Sequence, residues 1–127
     1  DWGSHMMEHE LSALYDVAHG AGLAVVFPAW LRYQYKVNVP RFVQFANRVF
    51  GIEIDHEHPE RTALKGIDAL KDFFRSIGMP VTFGELGAKE EDIPKLAANV
   101  RLGSGGKLGQ FNPLDRGQIE EIYRMML

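Results

Sequence analysis

The stretch PERTALKGIDALKDFFRSI, residues 59–77, carries the clearest helical pattern in this sequence. Its apolar residues recur at intervals of three and four positions, which places them on one face of an α-helix. They are Ala63, Leu64, Ile67, Leu70, Phe73 and Phe74. Gly78 and Pro80 follow, and both residue types end helices. The pattern therefore predicts an amphipathic helix over 59–77, and we expect its phenylalanines, like Phe42 and Phe45 earlier in the chain, to lie in the core.

Helical patterns continue on both sides of this segment, whereas no stretch shows the alternation that is typical of strands. Composition, apolar spacing and capping signals predict further helices over 4–15, 23–36, 39–50, 89–102 and 114–127, with a short helix opened by a capping box at 82–85. We expect Ser4 to cap the first helix, the glycines at 20–22 to interrupt the chain before the second, and Pro28 to kink that helix or mark its start. The sequence predicts an all-α fold, a single compact bundle of about six or seven helices over residues 1–127.

Composition excludes several classes of protein. The chain has 127 residues, 46% of them hydrophobic and 24% charged, which is ordinary for a folded globular domain. The formal net charge of −3 argues against binding of nucleic acid. The apolar run at 21–31 is about half as long as a bilayer span, and no signal peptide is visible. The absence of cysteine excludes disulfides and thiolate metal sites. We expect a cytoplasmic protein with no membrane or nucleic-acid partner.

The first six residues contain the string GSHM, at 3–6, which resembles the remnant of a cleaved purification tag. Such a remnant begins at its glycine, however, and here Asp1 and Trp2 precede it. We therefore treat these residues as native. The choice matters because His5 lies within the string.

Histidines are concentrated near the start of the chain, where His5, His9 and His19 fall within the first 19 residues. His5 and His9 are four positions apart, so a helix presents them on one face, and two such imidazoles can bind one metal ion. The order of residues is not that of the H-E-x-x-H metalloprotease motif. His5 and His19 can share a metal only if the helix ends between them, because 14 residues of continuous helix would span about 21 Å. Alternatively, the three are surface residues, and His9 pairs with a nearby glutamate.

The string HMMEHELSALYDVAHG, residues 5–20, resembles the metal-binding signature of the iron-containing (group III) alcohol dehydrogenases, and of their NAD(P)H-dependent butanol dehydrogenase branch in particular. The similarity continues through GLAVVFPAW at 22–30. It returns in GMP at 78–80, EDI at 91–93 and GGKLG at 105–109. It therefore extends over essentially the whole chain.

This resemblance implies a function and a set of site residues. Enzymes of the family interconvert alcohols and aldehydes, and they bind iron or zinc between a dinucleotide-binding domain and a C-terminal helical domain. By motif position, His5 and His19 are the metal ligands of the helical domain. His9 matches a further active-site histidine that is not usually a ligand. The family often forms homodimers, and its substrates are small primary alcohols and aldehydes.

The sequence departs from the family because it begins at the signature. The upstream aspartate and histidine ligands and the N-terminal NAD(P)H-binding domain are absent, and the glycine-rich loop at 103–109 does not fit a phosphate-binding P-loop. The resemblance therefore implies a C-terminal domain with Fe²⁺ or Zn²⁺ as its metal, inactive without its own cofactor domain.

Alternative interpretations remain open from the residues alone. The chain could be a stand-alone helical protein-interaction module that uses no metal. The cluster Asp55-His56-Glu57-His58 offers a second set of metal-binding side chains, although a solvated loop before the helix at 59–77 explains it more simply. Trp2 either borders the active-site cleft or is a buried structural residue.

Overall fold

The computed structural model describes residues 1–127 and confirms the all-α fold. Seven α-helices follow one another, with two short 3₁₀ turns at Tyr35–Val37 and Glu90–Asp92. The helices are α1 (Gly3–Tyr15), α2 (His19–Gln34), α3 (Val39–Phe50), α4 (Pro59–Ser76), α5 (Phe83–Leu86), α6 (Ile93–Asn99) and α7 (Arg116–Arg124). No strand forms; Leu108 and Leu114 make an isolated antiparallel bridge. None of the helices combines the length and apolarity needed to cross a bilayer.

The predicted ends of α3, α4 and α5 agree closely with the structure because each has a local capping signal. Asn38 caps α3 by accepting a hydrogen bond from the backbone N–H of Arg41, and Gly51 ends that helix with a φ of 66°. Thr82 caps α5 through the backbone N–H of Glu85, at 3.2 Å. These contacts confirm that short side chains and glycines mark the helix ends where the sequence places them.

The break between α1 and α2 lies four residues earlier than the glycines suggested. Asp16 adopts the left-handed conformation, with a φ of 53°, and its backbone N–H bonds the carbonyl of Ser12 at 3.0 Å. The glycines at 20–22 are inside α2, and Pro28 lies within the same helix rather than at its start. Ser4 does not cap α1; the carboxylate of Asp1 instead accepts a hydrogen bond from the backbone N–H of Gly3, at 2.7 Å.

Helices α6 and α7 are shorter than the predicted 89–102 and 114–127, and side chains hold one end of each. Arg116 donates hydrogen bonds to the carbonyls of Ala97 and Val100, at 2.8 and 3.1 Å, and so satisfies the C-terminal end of α6. At the start of α7, Asp115 and Gln118 form a reciprocal capping box. That box was not identified in the sequence.

The core has two parts. A large cluster joins α1, α2, α5, α6 and α7, and α2 lies near its centre. A smaller one joins α3 and α4 and consists of Phe42, Val43, Ala63 and Ile67. The prediction that Phe73 is a core residue is wrong, since 49% of it is exposed, while Phe45 and Phe74 are half-buried. The apolar faces of α3 and α4 are wider than their shared contact, so their edges stay at the surface.

Candidate metal centre

Three histidine rings meet where α1 and α2 run side by side. His5 and His9 lie one turn apart on α1, and His19 is the first residue of α2. The ring centroids of His5 and His19 are 5.7 Å apart, and those of His9 and His19 are 5.6 Å apart. The chain turns back at Asp16–Ala18, so that the condition for His5 and His19 to approach one another is met.

A buried carboxylate lies directly behind His19. Glu8, on α1 between the two histidines of that helix, has no exposed surface, and its Oε2 bonds Nδ1 of His19. About half of the His19 side chain, 48%, is exposed. Because Nδ1 is engaged by Glu8, the nitrogen of His19 that remains available to a ligand is Nε2.

Two small residues surround Glu8: Ser12 binds its carboxylate, and Gly22 leaves space for it. Ser12, one turn along α1, donates a hydrogen bond from its hydroxyl to Oε1 of Glu8. Gly22 of α2 faces the carboxylate side chain; a Cβ atom built there would lie 2.7 Å from Cγ of Glu8. No side chain larger than glycine fits at position 22 while Glu8 stays in place, so the glycine permits the close packing of α2 on α1.

Aromatic side chains flank His5. Trp2 and Phe27 both contact its ring edge-to-face, with centroid distances of 5.0 and 5.8 Å. The interpretation of Trp2 as a buried residue is wrong, since 69% of it is exposed. His5 is half-buried, whereas His9 and His19 face solvent. The histidine cluster is thus an open surface with an aromatic border on one side.

The donor atoms of this cluster suit a borderline metal ion. One donor atom from each of Glu8, His9 and His19 lies within 4.8 Å of the others, and His5 adjoins them through its contact with the His19 ring. Imidazole nitrogens are ligands for Fe²⁺ and Zn²⁺. A histidine whose second nitrogen is held by a carboxylate is the usual arrangement at such sites. The residues present therefore fit the metal that the sequence implies.

The second cluster of possible ligands has a structural role. Asp55, His56, Glu57 and His58 form a turn before α4. The Asp55 carboxylate accepts hydrogen bonds from the backbone N–H groups of His58 and Glu57, at 2.9 and 3.1 Å. These bonds, that of His58 first, lower the pKa of Asp55. The residues belong to a largely exposed turn, as the sequence analysis expected.

Sequence reasoning did not identify Glu8 or Ser12 as parts of the site. It considered a glutamate partner for His9, whereas the structure pairs Glu8 with His19. A signal was present, because Glu8 and Ser12 are four apart on α1 and share a face with His5. The contact of Glu8 with His19 depends on the geometry of the break after α1, which the sequence analysis placed at the glycines instead.

Comparison with known proteins extends this picture to the whole chain. The model of the C-terminal domain of the Fe-containing alcohol dehydrogenase family matches residues 1–127, including the tag-like residues at the start. A probable NADH-dependent butanol dehydrogenase 2 of Bacillus subtilis is 37% identical over 129 positions, which cover 100% of this chain and 33% of that protein. NADH-dependent butanol dehydrogenase A of Clostridium acetobutylicum is 33% identical, over 97% of this chain and 32% of that protein.

Solved structures with the same arrangement of helices include relatives of two kinds. NADH-dependent butanol dehydrogenase A of Thermotoga maritima superimposes with a TM-score of 0.91 at 43% identity, over 99% of this chain and 33% of that one. The aldehyde reductase YqhD of Escherichia coli has a TM-score of 0.90 at 26% identity, over 100% of this chain and 33% of that one. The chain thus spans about a third of the length of these relatives.

Proposed function

Because the chain belongs to the Fe-containing alcohol dehydrogenase family, as its C-terminal domain, we propose that it supplies the metal-binding part of an active site that interconverts primary alcohols and aldehydes with NAD(P)(H). Butanol-like alcohols are the substrate class that we infer, since relatives over the full chain are called butanol dehydrogenases. Both NADH-dependent and NADPH-dependent relatives occur, so the proposal covers either coenzyme. The single observation that carries it is the convergence of His5, His9 and His19.

His5 and His19 are the proposed metal ligands, with Fe²⁺ or Zn²⁺ as the ion. His19 offers Nε2, since Glu8 occupies Nδ1. His5 is held against Trp2 and Phe27, which limit the directions its ring can take and shield it from water on that side. When bound, the ion supplies Lewis-acid polarisation of the substrate oxygen. The two side chains would hold the ion where α1 and α2 run side by side.

His9 is the proposed catalytic residue beside the metal. Its ring faces solvent 5.6 Å from that of His19, and no other side chain occupies its nitrogens by hydrogen bonding. Imidazole is the side chain that most often serves as a general acid or base in enzymes. His9 is therefore suited to contact the substrate and to exchange a proton with its oxygen.

The remaining parts of the active site lie outside these 127 residues in this proposal. The relatives are about three times as long as the chain. We infer that an N-terminal domain binds NAD(P)H and contributes the other metal ligands, and that the complete, cytoplasmic enzyme is a homodimer. The 127-residue chain with metal, NADH and butanal is accordingly expected to oxidise NADH no faster than metal in buffer does. A clear excess rate would contradict this division of the site.

The metal site is tested by titrating the chain with Zn²⁺ in a calorimeter. We expect the wild type to bind one ion and the double variant His5→Ala/His19→Ala to lose this binding. The double variant His56→Ala/His58→Ala is the matched control, because it removes two histidines from the exposed turn before α4. It should bind as the wild type does.

The same titration separates the enzyme from the helical interaction module. If the wild type and the His5→Ala/His19→Ala variant both bind negligibly, the metal site is wrong and the module becomes the better interpretation. If the control variant loses Zn²⁺ binding while the His5→Ala/His19→Ala variant keeps it, the ion binds at His56 and His58, and the proposed site is wrong. Circular dichroism of each variant confirms that the helices are retained.

A further inference from the structure

Glu8 is a charged residue with no exposed surface at all. A carboxylate removed from water is strongly destabilising unless charged or hydrogen-bonding partners surround it. Replacement of a buried ionic group by a well-packed apolar residue is often neutral or stabilising in proteins. The burial of a carboxylate here therefore points to a function other than stability.

The partners of Glu8 show what that function is. One carboxylate oxygen bonds Nδ1 of His19, and the other accepts from the hydroxyl of Ser12. The Ser12 hydroxyl also lies 3.1 Å from the carbonyl oxygen of Val17, in the break between α1 and α2. Glu8 thus holds the imidazole of His19, and the Ser12 hydroxyl lies between the Glu8 carboxylate and the backbone two residues before that histidine.

We propose that Glu8 is a positioning residue that fixes His19 as the Nδ1–H tautomer and so keeps the lone pair on Nε2. An acceptor at Nδ1 selects the tautomer in which that nitrogen carries the hydrogen. The effect of this tautomer on metal binding rests on the function proposed above. The assignment of the tautomer itself does not rest on that function. At metal sites, such a carboxylate partner orients the ring and raises the basicity of the ligating nitrogen.

Gly22 supports the same assignment from the opposite side. Glycine inside a helix is less favourable than alanine in general, so its presence in α2 calls for a steric reason. The reason is Glu8, whose Cγ would lie 2.7 Å from a Cβ atom at position 22. The glycine leaves space for the carboxylate at the one place where it can reach His19.

The tautomer can be measured directly without metal. In ¹⁵N-labelled chain, long-range ¹H–¹⁵N spectra distinguish the Nδ1–H form, the Nε2–H form and the doubly protonated form of each ring, and they are recorded at a pH at which the His19 ring is observed to be neutral. We expect His19 of the wild type to be the Nδ1–H form, and Glu8→Ala to shift it to Nε2–H or to a mixture. Glu10→Ala is the matched control, because Glu10 lies on the same helix and has no hydrogen bond to His19; it should leave the tautomer unchanged.

Two further variants keep the test decisive if Glu8→Ala does not fold. Gly22→Ala improves the helix propensity of α2 but displaces the Glu8 side chain, and it should lower the Nδ1–H fraction of His19. Glu8→Gln should retain that tautomer, since its amide oxygen still accepts from Nδ1 while its NH₂ group can donate to Ser12. A wild-type His19 found as Nε2–H, or a tautomer that none of the variants alters, would overturn the proposal.

Zn²⁺ titration of the same variants adds a second readout. Loss of the partner of a ligating histidine typically weakens metal binding by about 10–100-fold. We expect a weakening of that size for Glu8→Ala, a smaller one for Glu8→Gln, and none for Glu10→Ala. If the wild type takes up no Zn²⁺, the proposed metal function fails, and the spectra still decide the role of Glu8. Equal zinc affinity of Glu8→Ala and the wild type would contradict the positioning role.

Discussion

Tyr123 offers a sharp test of how α7 supports the helix that carries the site. Its side chain, at the centre of the main core, is fully buried, and its hydroxyl donates a hydrogen bond to the carbonyl oxygen of Met7, at 2.7 Å. Met7 lies on α1 between His5 and His9. The substitution Tyr123→Phe keeps the ring and removes the hydroxyl. At neutral pH, we expect it to lower the free energy of unfolding by about 1 kcal/mol, the typical net contribution of one hydrogen bond.

The same substitution should change how stability depends on pH. Burial raises the pKa of Tyr123 well above its ordinary value of 10.0, and the nearby carboxylates of Glu10 and Glu8 raise it further. In the unfolded chain the phenol loses its proton at about pH 10, while in the folded chain it keeps it. Unfolding therefore releases a proton above pH 10, so the contribution of Tyr123 is complete below that pH and is lost as the pH rises. One such group changes the free energy of unfolding by about 1.4 kcal/mol between pH 8 and pH 11.

Urea unfolding at pH 8, 10 and 11, followed by circular dichroism at 222 nm, measures both effects. The wild type should lose about 1.4 kcal/mol more than Tyr123→Phe between pH 8 and pH 11. Burial also raises the pKa values of Tyr15 and Tyr33, but these residues are present in both proteins, so their effects cancel in the comparison. If the two proteins lose stability in parallel above pH 10, the phenol of Tyr123 ionises in the folded state and the argument from burial is refuted.

Two further predictions concern contacts outside the histidine cluster, one a steric contact and the other a hydrogen bond. Gly66→Ala should destabilise the chain by about 1–2 kcal/mol despite better helix propensity, since overpacking costs more than that gain; the new Cβ would lie 2.9 Å from Cα of Ala46. Gly20→Ala, whose Cβ meets nothing nearer than 3.9 Å, is the control in the same urea titration, and equal stability of the two variants would contradict the steric argument. Asp1→Ala should reduce hydrogen-exchange protection at the Gln110 amide by about tenfold, because the Asp1 carboxylate accepts a hydrogen bond from that N–H at 2.9 Å. Unchanged protection would show that this hydrogen bond does not hold the backbone at Gln110 in place.

Features that depend on neighbouring residues in the chain were predictable from the sequence. The helix Val39–Phe50 was predicted with its observed ends because Pro40 lies in its first turn and Gly51 ends it, and both act on residues close by in the chain. The sequence did not predict that His5 and His19 approach one another. It showed only that they can do so if the chain folds back between them, and helix geometry does not say where the chain folds back.

Features that depend on contacts between distant helices were not predictable in the same way. The glycines at 20–22 indicated a break by their propensity alone, yet α2 includes them because Gly22 packs against Glu8. Phe73 has the spacing of a core residue but lies at the edge of α4, where no other helix covers it. In both cases packing between helices decides where a helix begins or whether a side chain is buried. The sequence pattern of a single helix does not show which other helices pack against it.

The geometry of the site indicates why the proposed function needs more than this chain. His5 and His19 approach from adjacent helices on one side, and the opposite side is open, with His9 and His19 at the surface and Trp2 largely exposed. A catalytic zinc or iron site typically uses about three protein ligands and leaves a position for substrate. Glu8 is committed to His19, and His9 is suited to proton exchange, so these residues do not complete the set. Any further ligand must come from across the open face. In the proposed function we therefore expect the two histidines alone to bind Zn²⁺ measurably, and a second domain that covers the open face and adds ligands to raise that affinity.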